Sequence, residues 1–174
     1  TMHRRENQGD PMRRVFKVMR EVVESHPDIE IIYPVHLNPV VQEAADAILG
    51  HHKRIHLIDP LDVVDFHNLA ARSYFIMTDS GGVQEEAPSL GKPVLVLRDT
   101  TERPEGVEAG TLKLVGTDPN TVKTAMLQLL DDPTEYRRMA EAKNPYGDGH
   151  ASRRILDAIL YDFGKIQNRP APFK

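Results

Sequence analysis

The chain has 174 residues, 40% hydrophobic and 28% charged, which suits one soluble globular domain with a sizeable core. Its 22 Lys and Arg against 26 Asp and Glu leave a formal charge of −4 with no basic block, arguing against a nucleic-acid or membrane-surface role. There is no cysteine, which excludes disulfides and thiolate metal ligands, and no apolar run near the ~18 residues of a membrane span. Thr1 to Asn7 lacks the apolar stretch of a signal peptide, and a cytosolic home fits this composition. Thr1 is not an initiator methionine, and a charged loop opens the chain, so a piece of a longer protein is expected; tag removal or N-terminal processing gives the same start.

Helix and strand signals alternate along the chain. A helix starts near Asp10-Pro11, with Val15, Val18, Met19, Val22 and Val23 on one face. Ile29 to Tyr33 reads as a strand closed by Pro34. Asn38-Pro39 reads as an N-cap with proline at the first helical position, followed by Val41, Ala44, Ala45 and Ile48 on one face and Gly50 at the end. Ile55 to Ile58 is a strand, and Leu61 to Arg72 a helix with Val64, Leu69 and Ala70 inward. A strand over 74–78 leads into a glycine turn and a short helix ended by Gly91. Lys92 to Leu97 is a continuous apolar strand of the buried parallel kind. Leu112 to Val115 is the last strand. Asp118-Pro119 and Asp132-Pro133 open two helices, Asn144 to Gly149 forms a turn, and a final amphipathic helix carries Ile155, Leu156, Ile159, Leu160 and Phe163. This βαβα order implies an α/β fold with one doubly wound, Rossmann-like parallel sheet, its ligands bound at the carboxyl ends of the strands.

The loops expected at that edge carry the chemistry. In Asp79-Ser80-Gly81-Gly82 a hydroxyl and two glycines sit where a strand turns into a helix. Unpaired N–H groups and the helix dipole make such a turn an anion site, most naturally for phosphate. The bland alternative is a glycine turn with Ser80 as N-cap. A nucleophilic serine does not fit, because the surrounding pattern is not all-β and the first glycine of a Gly-x-Ser-x-Gly elbow is missing. Glu86, one turn on, either complements the dipole or accepts from ribose hydroxyls, whereas Glu85 points about 100° away, toward solvent. Arg103 either meets a phosphate or base or pairs with Glu102 or Glu105. His51, His52 and His56 do not share a helical face, since Gly50 breaks the helix, and no metal site is expected.

At these residues the chain resembles the C-terminal half of the non-hydrolysing UDP-N-acetylglucosamine 2-epimerases. The resemblance runs over roughly residues 1 to 163. It rests on Thr1-Met2-His3-Arg4-Arg5-Glu6-Asn7, on Tyr33-Pro34-Val35-His36-Leu37-Asn38-Pro39, on the long run Asp79 to Val94, on Arg98 to Glu105 and on Asn144 to Gly149. It implies a two-domain GT-B type fold of which this chain is the UDP-binding domain over 1–163, lacking its first strand, with a loose tail over 164–174. By this resemblance Ser80, Gly81 and Gly82 hold the diphosphate, Glu86 the ribose, and Arg103 and Phe66 belong to the UDP site, Phe66 in its uracil region. His3 approaches the phosphate and helps the leaving group. Arg4 and His36 fall where some members bind a second, activating UDP-N-acetylglucosamine. Leu61 departs from the polar residue common in the family's uracil pocket.

The implied reaction needs no redox cofactor and no metal. UDP is eliminated across C1–C2 of UDP-N-acetylglucosamine to give a 2-acetamidoglucal, then adds back with a proton on the other face to give UDP-N-acetylmannosamine. The family's proton-transfer carboxylates lie on the N-terminal domain, so this chain alone is expected not to turn over substrate, and the full-length protein is expected to be a homodimer. Two other readings compete: the UDP-binding domain of a GT-B glycosyltransferase, and a flavodoxin-like binding domain indifferent to UDP.

Overall fold

A computed structural model describes residues 1–171; of the expected tail, 172–174 lie outside the described residues. Strands and helices follow the order read from the sequence. They are α1 (Asp10–Ser25), β1 (Ile31–Pro34), α2 (Pro39–Leu49), β2 (Ile55–Ile58), α3 (Val63–Arg72), β3 (Ile76–Thr78), α4 (Gly81–Glu86), β4 (Val94–Val96), α5 (Pro104–Ala109), β5 (Leu112–Leu114), α6 (Pro119–Asp131), α7 (Pro133–Ala140) and α8 (Ala151–Asp162). The helix starts are set locally. The side chains of Asn38, Asp62, Asp118 and Asp132 each accept a backbone N–H of the helix they open. Such a bond satisfies a donor the helix leaves free, at about 1 kcal/mol each. A 3-10 turn over Ala87–Leu90 continues α4 and stops at Gly91, whose φ of 64° is the left-handed conformation glycine adopts most easily.

All strand pairs are parallel. β4 is buried throughout and shows why the fold is doubly wound. Leu95 enters one apolar cluster with α1, α2 and α6, while Val94 and Val96 enter a second with Ala70 of α3 and Val83 of α4. Alternate side chains of one strand therefore feed cores on opposite faces, so the run reads as continuously apolar. The α1 face read from the sequence is correct: Val15, Val18, Met19, Val22 and Val23 are all buried.

Four expectations need correction. The strands do not form one sheet but two, β1-β2 and β3-β4-β5, with β1 and β3 as edges. The strand expected over 74–78 begins only at Ile76, and Tyr74 is exposed, its ring stacked on Tyr136 at 4.1 Å instead. Val64 is exposed because α3 turns its other side, with Ala70, to the core. In α8 no residue is buried, and Ile155, Leu156, Ile159 and Phe163 lie open; hydrophobic periodicity encodes an apolar face but not what covers it.

Candidate functional site

The strand ends converge on Asp79, a fully buried acid. A buried carboxylate is costly unless hydrogen-bonded, and here the first residues of the chain supply the donors. The backbone N–H of His3 donates to both carboxylate oxygens, at 3.1 and 3.0 Å, and that of Arg4 to Oδ2 at 2.9 Å. The Asn7 amide donates to Oδ2 at 2.9 Å and to the Leu97 carbonyl at 3.1 Å, tying the same loop to the end of β4. The loop 1–7 is thus fixed by a charge at the carboxyl end of β3.

His3 is held by that loop with its Nδ1 3.5 Å from Asp79 Oδ1, and its ring stacks on His36, from the loop after β1, at 5.2 Å and 11°. Burial pushes the His3 pKa below the ordinary histidine value; the Asp79 carboxylate opposes this, and His36 adds to the lowering. Arg4 donates through Nε to the Asp79 carbonyl at 3.3 Å and lies 3.4 Å from Glu102.

The glycine turn follows directly. Ser80 stands at the N-cap position, but its side chain makes no capping bond; its N–H goes to Thr78 Oγ1 at 3.0 Å. The first helical bond is from Gln84 N–H to the Ser80 carbonyl, at 3.3 Å. The N–H groups of Gly81, Gly82 and Val83 therefore precede the helical ladder, in the arrangement that favours an anion. A Cβ at Gly81 would lie 2.6 Å from a Glu102 carboxylate oxygen, so a side chain there would displace the end of Glu102. Glu102 covers Gly81 and also pairs with Arg98 at 2.5 Å; Arg98 reaches Glu6 at 3.0 Å as well. A backbone hydrogen bond, and after it Arg98 and Arg4, hold the Glu102 pKa below the ordinary carboxylate value.

Glu86 faces α3, where His67 lies 3.2 Å from it. Arg103 pairs with Glu85, not with the expected Glu102 or Glu105 side chains, and donates to the Glu102 carbonyl at 3.1 Å. Glu85 is therefore not simply solvated: the loop after β4 folds back across α4 and brings the arginine to it. A partly buried bond from Thr101 Oγ1 to the fully buried Gln84, 2.6 Å, fixes that return. Phe66 stands apart from this polar cluster, packed on the second core cluster and lining an apolar cavity. Leu61 precedes α3 and is half-buried. The structure thus brings His3, Arg4, His36, Gly81, Glu102 and Arg98 together around Asp79, and sets Glu86 and Arg103 on two sides of α4.

Sequence reading missed Asn7, His67, Gln84 and the anchoring role of Asp79. An acid at the end of an apolar run was the one available signal, pointing to Asp79; the partners of the other three are 17 to 90 residues away in sequence. Among the described residues no group of three or more His, Cys, Asp or Glu could hold a metal ion.

Residues 1–160 match a family model described as UDP-N-acetylglucosamine 2-epimerase. The chain is 62% identical over 173 residues to a Bacillus subtilis protein of that name, covering 99% of this chain and 46% of that protein. Among solved structures it resembles the S. aureus MnaA–UDP co-structure (TM-score 0.94, 57% identity, 99% of this chain and 47% of that one). It also resembles UDP-GlcNAc 2-epimerase from Neisseria meningitidis bound to UDP-GlcNAc (TM-score 0.87, 45% identity, 92% of this chain and 43% of that one). The chain spans about half the length of the curated relatives it matches. With a model match over nearly the whole chain and relatives of this identity, the chain belongs to the UDP-N-acetylglucosamine 2-epimerase family.

Proposed function

We propose that this chain is the UDP-binding half of an enzyme that interconverts UDP-N-acetylglucosamine and UDP-N-acetylmannosamine. The observation that carries the reading is the start of α4, where three backbone N–H groups precede the helical ladder, with His3 and Arg4 held beside them by Asp79. In this reading Ser80, Gly81 and Gly82 take the diphosphate and Glu86 the ribose. Arg103 contributes to the UDP site, and Phe66 lies at its uracil end. The family membership and the UDP and UDP-GlcNAc held by relatives support it.

The chemistry asks for charge stabilisation at the leaving group. A proton leaves C2 and the C1–O bond to UDP breaks, giving the 2-acetamidoglucal; UDP oxygen then re-adds at C1 and a proton reaches C2 from the other face. Preorganised N–H dipoles are suited to the departing diphosphate, because they need no reorganisation as its charge develops. An arriving phosphate favours the protonated form of His3, against the burial that now lowers its pKa. A proton on His3 would strengthen its hold on the leaving oxygen. The carboxylates for proton transfer belong to an N-terminal domain of the same enzyme, so this chain alone binds UDP weakly and does not epimerise. The UDP-binding domain comprises 1–163 and follows a preceding strand, and the full-length enzyme is a cytoplasmic homodimer.

Arg4 and His36 serve a second, activating UDP-N-acetylglucosamine. The ring stack of His36 on His3, and Arg4 beside Gly81, support a reading in which the two nucleotide-sugar sites share a wall.

Titration calorimetry with UDP tests the assignment. Glu86→Ala and Arg103→Ala should each lose a charged hydrogen bond of about 1.5–3 kcal/mol, or about ten- to hundredfold in affinity. Unchanged binding in both variants removes the site assignment.

A further inference from the structure

Glu85 and Glu86 are consecutive acids on α4, and a different neighbour holds each. Arg103 takes Glu85 from the loop after β4. Glu86 is met from α3, where His67 Nε2 lies 3.2 Å from Glu86 Oε2. A carboxylate only accepts, so the proton of this contact sits on Nε2. The other carboxylate oxygen stands over the glycine turn: a Cβ built at Gly82 would lie 3.7 Å from Glu86 Oε1. One oxygen is thus tied to α3, and the other is presented beside the N–H groups that precede the helical ladder.

This setting is built into the packing of α3. Ala70 of α3 joins Val83 of α4 and Ala87 in the second core cluster, and α3 packs on the 3-10 turn that continues α4. Small buried residues let the two elements approach, so a side chain on the flank of α3 reaches the end of α4. The His67 and Glu86 side chains are 43% and 46% exposed. An ion pair that open contributes little to stability, and it stays within reach of a ligand. The Phe66 ring lies beside His67, with ring centroids 6.3 Å apart. Phe66, His67, Glu86 and Gly82 therefore follow one another from the uracil end of the proposed UDP site to its diphosphate turn.

We propose that His67 is a positioning residue for nucleotide binding: it sets the Glu86 carboxylate so that Oε1 meets the ribose hydroxyls. The inference deepens the UDP reading and rests on its assignment of Glu86 to the ribose. A glutamate side chain without a partner samples several rotamers, and a ligand that fixes it bears the lost rotamer freedom. The imidazole holds the side chain before the ligand arrives, which removes that cost. Imidazole and ribose do not compete for the acid. Both donate, and a carboxylate has about four lone-pair sites to receive them: Oε2 takes the imidazole N–H and Oε1 the hydroxyls. His67 touches no reacting atom and acts only through Glu86.

The test is a set of UDP titrations followed by amide chemical shifts, a readout that suits weak binding. The forms compared are the unmodified chain, His67→Ala, His67→Gln, Glu86→Ala and the double variant His67→Ala/Glu86→Ala. His67→Ala should weaken UDP binding by about two- to tenfold, the rotamer freedom of one side chain. His67→Gln keeps an N–H donor at the reach of Nε2 and should restore affinity to within about twofold. In the Glu86→Ala background His67→Ala should change affinity by less than about twofold, because the two residues act as one unit. Unchanged or tighter binding by His67→Ala overturns the proposal, as does a Gln variant as weak as the Ala variant. Losses that multiply in full in the double variant overturn it too, since His67 would then act on its own. Unchanged UDP binding by Glu86→Ala removes the ribose assignment and this inference with it, whereas a loss in Glu86→Ala with none in His67→Ala overturns this inference alone.

Discussion

Replacing Asp79 by alanine should be the most damaging single polar substitution at the strand ends. The carboxylate accepts from two backbone N–H groups and the Asn7 amide, at 2.9–3.1 Å, inside a site with no solvent exposure. Asn7 keeps its bond to Leu97, so alanine strands chiefly the His3 and Arg4 N–H groups. Hydrogen bonds to a charged group contribute about 1.5–3 kcal/mol each. Two lost outright give about 3–6 kcal/mol, a large part of the ~5–15 kcal/mol that holds a domain together. With a urea slope of about 2 kcal/mol/M, the midpoint should fall by about 1.5–3 M. Asp79→Asn is the informative partner. Its amide oxygen can occupy the Oδ2 position, where three of the four contacts converge. Charge assistance and the second, shared contact of the His3 N–H with Oδ1 are lost while the bonds to Oδ2 remain, so the cost should be about 1–2 kcal/mol. The refuting result is equal destabilisation by Ala and Asn, or an alanine cost below about 1 kcal/mol, either of which would mean that the loop 1–7 is not held by this carboxylate.

Further predictions concern charge and packing. Glu102 occupies the space over Gly81 and binds Arg4 and Arg98; Glu102→Gln should release both arginines and tighten UDP binding by about three- to tenfold in calorimetry. The Thr1 amine has its pKa lowered from 8.0 to about 6. The unfolded chain therefore holds more protons between those values, and stability should rise with pH from 6 to 8 and then level off. Burial lowers the His3 pKa too, adding the same sign just below its ordinary value of 6.5; N-terminal acetylation should remove the Thr1 part of the slope in urea midpoints. Leu129→Ala in the buried face of α6 should cost about 2–5 kcal/mol. Ile155→Ser in α8, 60% exposed, should change urea stability by less than about 0.5 kcal/mol.

Much of this protein is determined locally and is legible in the chain itself. The Asx-Pro pairs at 38–39, 118–119 and 132–133 start helices because cap and first-turn geometry involve only neighbouring residues. The apolar face of α1 and the continuous run of β4 follow from period and burial on one or two faces. The glycine turn at 80–82, where the N–H groups of Gly81 and Gly82 precede the helical ladder, follows from a strand meeting a helix. Tertiary structure alone decided the rest, because it depends on pairs distant in sequence. Arg103 met Glu85 rather than its chain neighbours because Thr101 and Gln84 fold the loop back. Asp79 became an anchor only when residues 3, 4 and 7 came to it from more than 70 positions away. The division into two sheets lay beyond sequence reading for the same reason. Periodicity specifies that β1 and β3 are strands, but which edges find a partner is settled only by what packs between them.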